Sequence, residues 1–180
     1  MNKKPFDPST DGAKTDFKTV MSYGDYLNID TVLDQQNCIT DAHDEMLFIV
    51  QHQTSELWLK QILHEMLAAR MALETGNMPN MLKMLSRVSR IFEQLNNQWD
   101  VLRTMTPADY THFRDALGPS SGFQSYQYRM VEFILGNRNP AMLKPHAHVP
   151  EVEKMLQLEL SRTSFYDEVI KFLFNTLDKF

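Results

Sequence analysis

Met81-Leu82-Lys83-Met84-Leu85-Ser86-Arg87-Val88-Ser89-Arg90-Ile91-Phe92-Glu93-Gln94-Leu95-Asn96-Asn97-Gln98-Trp99-Asp100-Val101-Leu102 carries the cleanest periodicity in the chain. Met81, Leu85, Val88, Phe92, Leu95, Trp99 and Leu102 recur at alternating steps of four and three. That spacing is the a/d stripe of a helix packed lengthwise against other helices. Asn77 and Pro79 suit its start, since proline near the first helical position gives up an N–H that would be unpaired anyway. The stretch predicts an all-α fold, a bundle-like domain of long antiparallel helices without a sheet.

The flanking sequence agrees. Upstream, Thr40 or Asp41 can cap a long helix with Asp44 and Glu45 in its first turn and Gly76 after its end. Within it Phe48, His52, Ser55 and Leu59 form one stripe, and Leu47, Val50, Leu57 and Met66 are assigned to another. A helix this broadly apolar is expected to be buried on more than one side. A first ordered element is expected from Ser22 through Tyr23, Tyr26, Leu27, Ile29, Val32 and Leu33. Downstream, Thr106-Pro107-Ala108-Asp109 opens a short helix, 118–123 is a loop, and 124–135 is a helix closed by Gly136. Residues 137–150 read as irregular. Helices are expected over 151–162 and 165–180, the last with Phe165, Val169, Ile170, Leu173, Phe174 and Leu177 as its stripe.

Composition bounds the class. The chain has 180 residues, which suits one domain, and 12 methionines against six glycines, which points away from a β fold. Residues 1–16 are polar and proline-containing and read as a mobile tail, leaving 17–180 as a single helical domain. A net charge of −5 argues against a nucleic-acid binder. No apolar run is long enough to cross a membrane, and no secretory leader is visible. Cys38 is the single cysteine, which excludes an internal disulfide and fits a cytoplasmic protein.

Chemistry-bearing residues are few. Tyr110 and Arg114 lie four apart on one helix face, where a guanidinium fork and a phenol can bind a carboxylate. The same spacing equally serves a surface arginine stacked on a tyrosine. Gly118-Pro119-Ser120-Ser121-Gly122 follows, and then the aromatic-polar run Phe123-Gln124-Ser125-Tyr126-Gln127-Tyr128-Arg129, so the segment reads as a pocket for a small anion. His52 lies one turn from Phe48; it suits a base, a hydrogen-bond partner, a haem ligand or a core histidine bonded to a carbonyl. No metal-ligand spacing stands out. His146-Ala147-His148 is a weak pair in a proline-rich loop, and His43, His64 and His112 are expected in solvent. Glu56 and Glu132 are carboxylates that nothing in the sequence places together.

Taken together, Ser22-Tyr23-Gly24-Asp25-Tyr26-Leu27, Asp44-Glu45-Met46-Leu47-Phe48-Ile49, His52-Gln53-Thr54-Ser55-Glu56-Leu57-Trp58, Phe113-Arg114 and the run from Leu117 to Glu132 resemble the tryptophan 2,3-dioxygenase family. The resemblance covers nearly all of the chain after the tail. It implies α-helical subunits assembled as cytoplasmic homotetramers. It also implies a haem b enzyme that uses O2 to open the indole C2–C3 bond of L-tryptophan, giving N-formylkynurenine.

Site roles follow from the same resemblance. His52 corresponds to the distal histidine that hydrogen-bonds the indole N–H, and Phe48 to the aromatic wall. Tyr110 and Arg114 correspond to the clamp on the substrate carboxylate. Leu117, Ser121 and Gly122 correspond to the loop beside the haem edge, and Trp99 and Tyr128 to positions near the haem. Tyr23, Tyr26 and Leu27 correspond to the segment that reaches a neighbouring subunit's pocket. The family's iron-ligating histidine lies further along its sequence, and no histidine here matches it. The chain is therefore expected to be a domain incomplete at its C-terminal end. The rival expectation is a truncated, non-catalytic ligand-binding or assembly subunit that lacks the iron ligand.

Overall fold

Every regular element among the described residues of this computed structural model is helical; these are residues 7–177, with side-chain surroundings through 176. Residues 1–6 of the polar tail, the Leu177 side chain and residues 178–180 lie outside the described residues. The chain divides into two compact units at Asn37.

In the first unit, a 3-10 turn spans Pro8–Asp11, with the Asp7 carboxylate accepting from Ser9 N. Helix α1, Tyr23–Leu27, opens on a capping box between Ser22 and Asp25. One continuous element was expected to Leu33. Instead Asn28 turns left-handed at φ +51°, and α2 restarts over Ile29–Leu33. Asparagine tolerates that region better than other non-glycine residues. Tyr23 and Tyr26 are about three-quarters exposed, and Leu27 is also exposed.

The second unit is built on α3, His43–Glu74. It ends at a tight turn in which Gly76 takes φ +70°, and α4, Met78–Asn97, folds back along it. Asn77 caps α4 by accepting from Asn80 N, as the sequence suggested. The stripe runs on past a break at Gln98 into α5, Trp99–Leu102. After α6, Pro107–Arg114, come α7, Tyr126–Leu135, α8, Pro150–Ser161, and α9, Phe165–Leu177. The segment expected to be irregular contains a 3-10 helix over Pro140–His146, started by Asn139 accepting from Ala141 N.

The core joins Leu59, Ile62, Met66, Ala69 and Leu73 of α3 to Met81, Val88 and Ile91 of α4, with Val131, Phe133 and Ile134 of α7, Leu156 of α8 and Phe165 of α9. Each fully buried side chain of this size stabilises the fold by about 1.5–3 kcal/mol. One assignment is corrected here. Met66 is buried while Leu57 is more than half exposed. At 100° per residue they stand roughly 180° apart, so they cannot share a stripe. On α9 the inward face is Phe165, Val169 and Phe172, whereas Ile170, Leu173 and Phe174 face outward.

The start of α3 is also tied differently from expectation. Its cap position is Ala42, with no side-chain cap bond. Glu45 instead turns back to accept from the backbone N–H of Ile39 at 2.7 Å, that of Thr40 at 2.8 Å and the Thr40 hydroxyl. These donors, Ile39 first, hold the Glu45 carboxyl below its usual 4.5. A depressed folded-state pKa stabilises fully above the unfolded value and is lost as pH falls through the folded one. Acidification below about pH 4 is therefore expected to speed amide exchange at Ile39 and Thr40 ahead of the core. The Glu45→Gln variant should lack this acid response; an identical profile in both proteins would refute the assignment.

Candidate active site

Phe48, His52 and Glu56 recur every fourth residue on α3, so they stand on one face. The Phe48 ring centres one side of an aromatic cluster. Its centroid lies 4.1 Å from His52, 5.8 Å from Tyr110 and 5.5 Å from Phe113, and Tyr110 meets Phe113 edge-on at 5.4 Å. Phe113 is fully buried, so α6 is held against α3 by its apolar side while Tyr110 and Arg114 remain on its open side. Thr106 and Asp109 form a capping box that starts α6 at Pro107.

His52 has a defined tautomer. Its Nδ1 lies 2.7 Å from the Phe48 carbonyl oxygen, which can only accept. Nδ1 therefore carries a proton, and in the neutral ring Nε2 is an acceptor. This is the carbonyl-bonded histidine of the sequence reading, but it is only partly buried and it borders open space.

That space is a cleft of about 750 Å³. The α3 face and the Tyr110/Arg114 pair form two sides of it. The 117–125 loop and the first turn of α7 form a third, with Leu117, Ser121 and Gly122 among its residues. Arg114 is exposed rather than buried, because it sits at the last position of a short helix. One of its terminal nitrogens donates to the Gly118 carbonyl at 2.9 Å. Gly118 takes φ +56° and ψ −132°, a conformation open only to glycine. Beyond it, the Ser121 hydroxyl accepts from Phe123 N and Ser125 caps α7 by accepting from Tyr128 N.

Phe48, His52, Tyr110, Arg114, Leu117, Ser121 and Gly122 are thus brought around one cleft. Tyr128 lies on a second crevice of about 280 Å³ that shares Ser121 and Gly122 with the first. Trp99 is half exposed on α5 and lines neither. Tyr23, Tyr26 and Leu27 belong to α1 in the first unit.

Other polar residues have partners or burial that the sequence did not announce. Glu56 lines the cleft and is bound by Gln127 of α7, while Glu132 pairs with Arg129, so the two carboxylates have separate partners. Arg129 is buried beside the second crevice, 5.5 Å from the Tyr128 ring centre, with its Nε unpartnered. His146 is buried as well, with Nε2 unpartnered. Burial first, then the charges of Arg129 and His148, push the His146 pKa below its usual 6.5. His43, His64 and His112 are exposed. No helix among the described residues is long and apolar enough to cross a membrane.

The family model described as tryptophan 2,3-dioxygenase matches residues 8–164. A protein of that name from Ruegeria sp. (strain TM1040) is 68% identical over 178 residues, which is 99% of this chain and 64% of the relative. One from Bradyrhizobium diazoefficiens is 59% identical over 171 residues, 95% of this chain and 61% of its own. One from Cupriavidus necator is 55% identical over 162 residues, 90% and 55% of the two chains. The chain therefore spans less than two thirds of the length of these relatives.

Proposed function

Since this chain belongs to the tryptophan 2,3-dioxygenase family, we propose that it forms the substrate-binding side of a haem-dependent dioxygenase acting on L-tryptophan and O2. Both oxygen atoms enter across the indole C2–C3 bond, which opens to give N-formylkynurenine. One observation carries the reading: an aromatic face, a lone-pair acceptor and an arginine fork border a single cleft. L-Tryptophan has the matching three features, an indole ring, an indole N–H and a carboxylate. In this reading Phe48 packs against the ring. Nε2 of His52 accepts from the indole N–H and so fixes which edge of the ring faces the oxygen. Arg114 and Tyr110 hold the carboxylate. Tyr23, Tyr26 and Leu27, exposed here, would serve the pocket of a neighbouring subunit in a cytoplasmic homotetramer.

The residues on the far side of the cleft fit one edge of haem b. The crevice at Ser121, Gly122 and Tyr128 adjoins the buried Arg129, whose unpartnered Nε suits an anionic substituent such as a propionate. Leu117, Ser121, Gly122 and Tyr128 would hold that edge, with Trp99 assigned near it by family resemblance. When bound, haem supplies the reactivity toward O2 that side chains lack. We assign its axial histidine to the part of the relatives' sequence that has no counterpart in this chain.

The test is an absorption spectrum of the chain after haem addition, ferric and ferrous-CO, with and without L-tryptophan. With free imidazole supplied in place of the axial histidine, a stoichiometric Soret band that moves on adding L-tryptophan is the expected result. A free-haem spectrum that L-tryptophan leaves unmoved would overturn the proposal for this chain and leave the non-catalytic reading.

A further inference from the structure

The loop that closes the cleft is tied at both ends, and each tie is made by a cleft residue. At its start, Arg114 donates to the Gly118 carbonyl. At its end, Gln127 stands in the first turn of α7. Its amide nitrogen donates to the Glu56 backbone carbonyl at 2.9 Å and to Oε2 of the Glu56 carboxylate at 2.8 Å. Glu56 lies one helical turn beyond His52. Between the two ties, the loop's hydrogen bonds are short-range, among them Ser121 N to Gln124 Oε1, Phe123 N to the Ser121 hydroxyl, Gln124 N to Ser121 O, and Ser125 N to Gly122 O.

The cleft end of the α3–α7 contact is therefore polar, whereas its deeper part is the apolar packing of Val131 and Ile134 against the α3 core. Apolar packing favours burial but is weakly directional. A doubly accepted amide, one acceptor of it charged, fixes both distance and orientation. On the α6 side the aromatic cluster already sets the spacing.

We infer that Gln127 is a positioning residue that clamps the loop's far end to α3. It fixes the separation between the 118–125 loop and the His52/Arg114 side, so that one ligand can meet both. This deepens the proposed function and rests on it for the identity of the ligand, but the clamp itself concerns the unliganded chain.

Amide exchange on the 180-residue chain, without haem or tryptophan, tests it. Gln127→Ala is expected to speed exchange at Gln124, Ser125 and Tyr128 by about ten- to hundredfold, with Ile62 and Ile134 unchanged. Gln127→Glu supplies the second arm. At about pH 7 two carboxylates would face each other and open the same amides; at about pH 4 a shared proton lets one carboxyl donate to the other and restores protection. Exchange is compared with intrinsic rates at each pH, and Gln127→Ala at both values corrects for His52 and Arg114 in the same cleft. Three results would each overturn the inference: unchanged loop exchange in Gln127→Ala, equal acceleration at Ile62 and Ile134, or no recovery of Gln127→Glu in acid. A failure of L-tryptophan to bind bears only on the proposed function.

Discussion

Replacing Arg70 by alanine is expected to lower the unfolding free energy by about 3–5 kcal/mol. Arg70 projects from α3 and is 6% exposed. Its guanidinium grips Glu159 of α8 at both ends, at 2.8 and 3.2 Å, and its Nε donates to Glu168 of α9 at 3.0 Å. One cation thus holds three helices in register. Burial alone would lower its pKa, but Glu159 and Glu168 together hold it above the ordinary arginine value. Without Arg70, the 5%-exposed Glu159 keeps, among the described residues, only the distant edge of Arg162, 4.0 Å away. An uncompensated buried carboxylate is the dominant cost, and it is large against a typical total of about 5–15 kcal/mol. The sign with pH follows. A buried carboxylate stripped of its cation favours the neutral form, so the loss is expected to shrink on acidification. Urea denaturation at two pH values measures both effects. A loss under about 1 kcal/mol, insensitive to pH, would show that solvent already screens the network.

That network also marks where the sequence stops being informative. Arg70 meets Glu159 and Glu168 across separations of 89 and 98 residues, and nothing local distinguishes these three charges from surface ones. Local rules worked where local physics decides. Asn77, Thr106 with Pro107, and Gly136 ended or started helices because caps and left-handed turns are fixed within one helical turn. Asn28 broke an expected helix because tolerance of the left-handed region is not a requirement for it. The candidate site was half legible. Phe48/His52 and Tyr110/Arg114 are each four apart, so each pair declared a shared face. That the two faces meet depends on Phe48 packing against Phe113 and Tyr110, a tertiary contact that spacing does not contain. Gln127 on Glu56 is of the same kind, 71 residues apart.

Arg114→Ala is expected to weaken L-tryptophan binding by about 2–4 kcal/mol, roughly 30- to 1,000-fold. Arg114 is exposed in the unliganded chain, and one terminal nitrogen is committed to the Gly118 carbonyl. The other terminal nitrogen and Nε remain to face a carboxylate, with Tyr110 one helical turn back on the same wall of the cleft. The pair becomes valuable only once the ligand and the loop exclude water around it, which is why an exposed arginine can carry an effect of this size. The substitution also removes the loop's first tie, and the two losses must be separated. Tryptamine, which keeps the indole ring and lacks the carboxylate, separates them. Loosening of the loop weakens both ligands alike, whereas loss of the clamp weakens L-tryptophan and leaves tryptamine unchanged. Arg114→Lys keeps the charge without the fork and should fall between the wild type and alanine. Titration of the haem-loaded protein with both ligands, followed by the Soret shift, gives the comparison. An unchanged affinity for L-tryptophan in Arg114→Ala, or an equal loss for tryptamine, would remove Arg114 from carboxylate recognition.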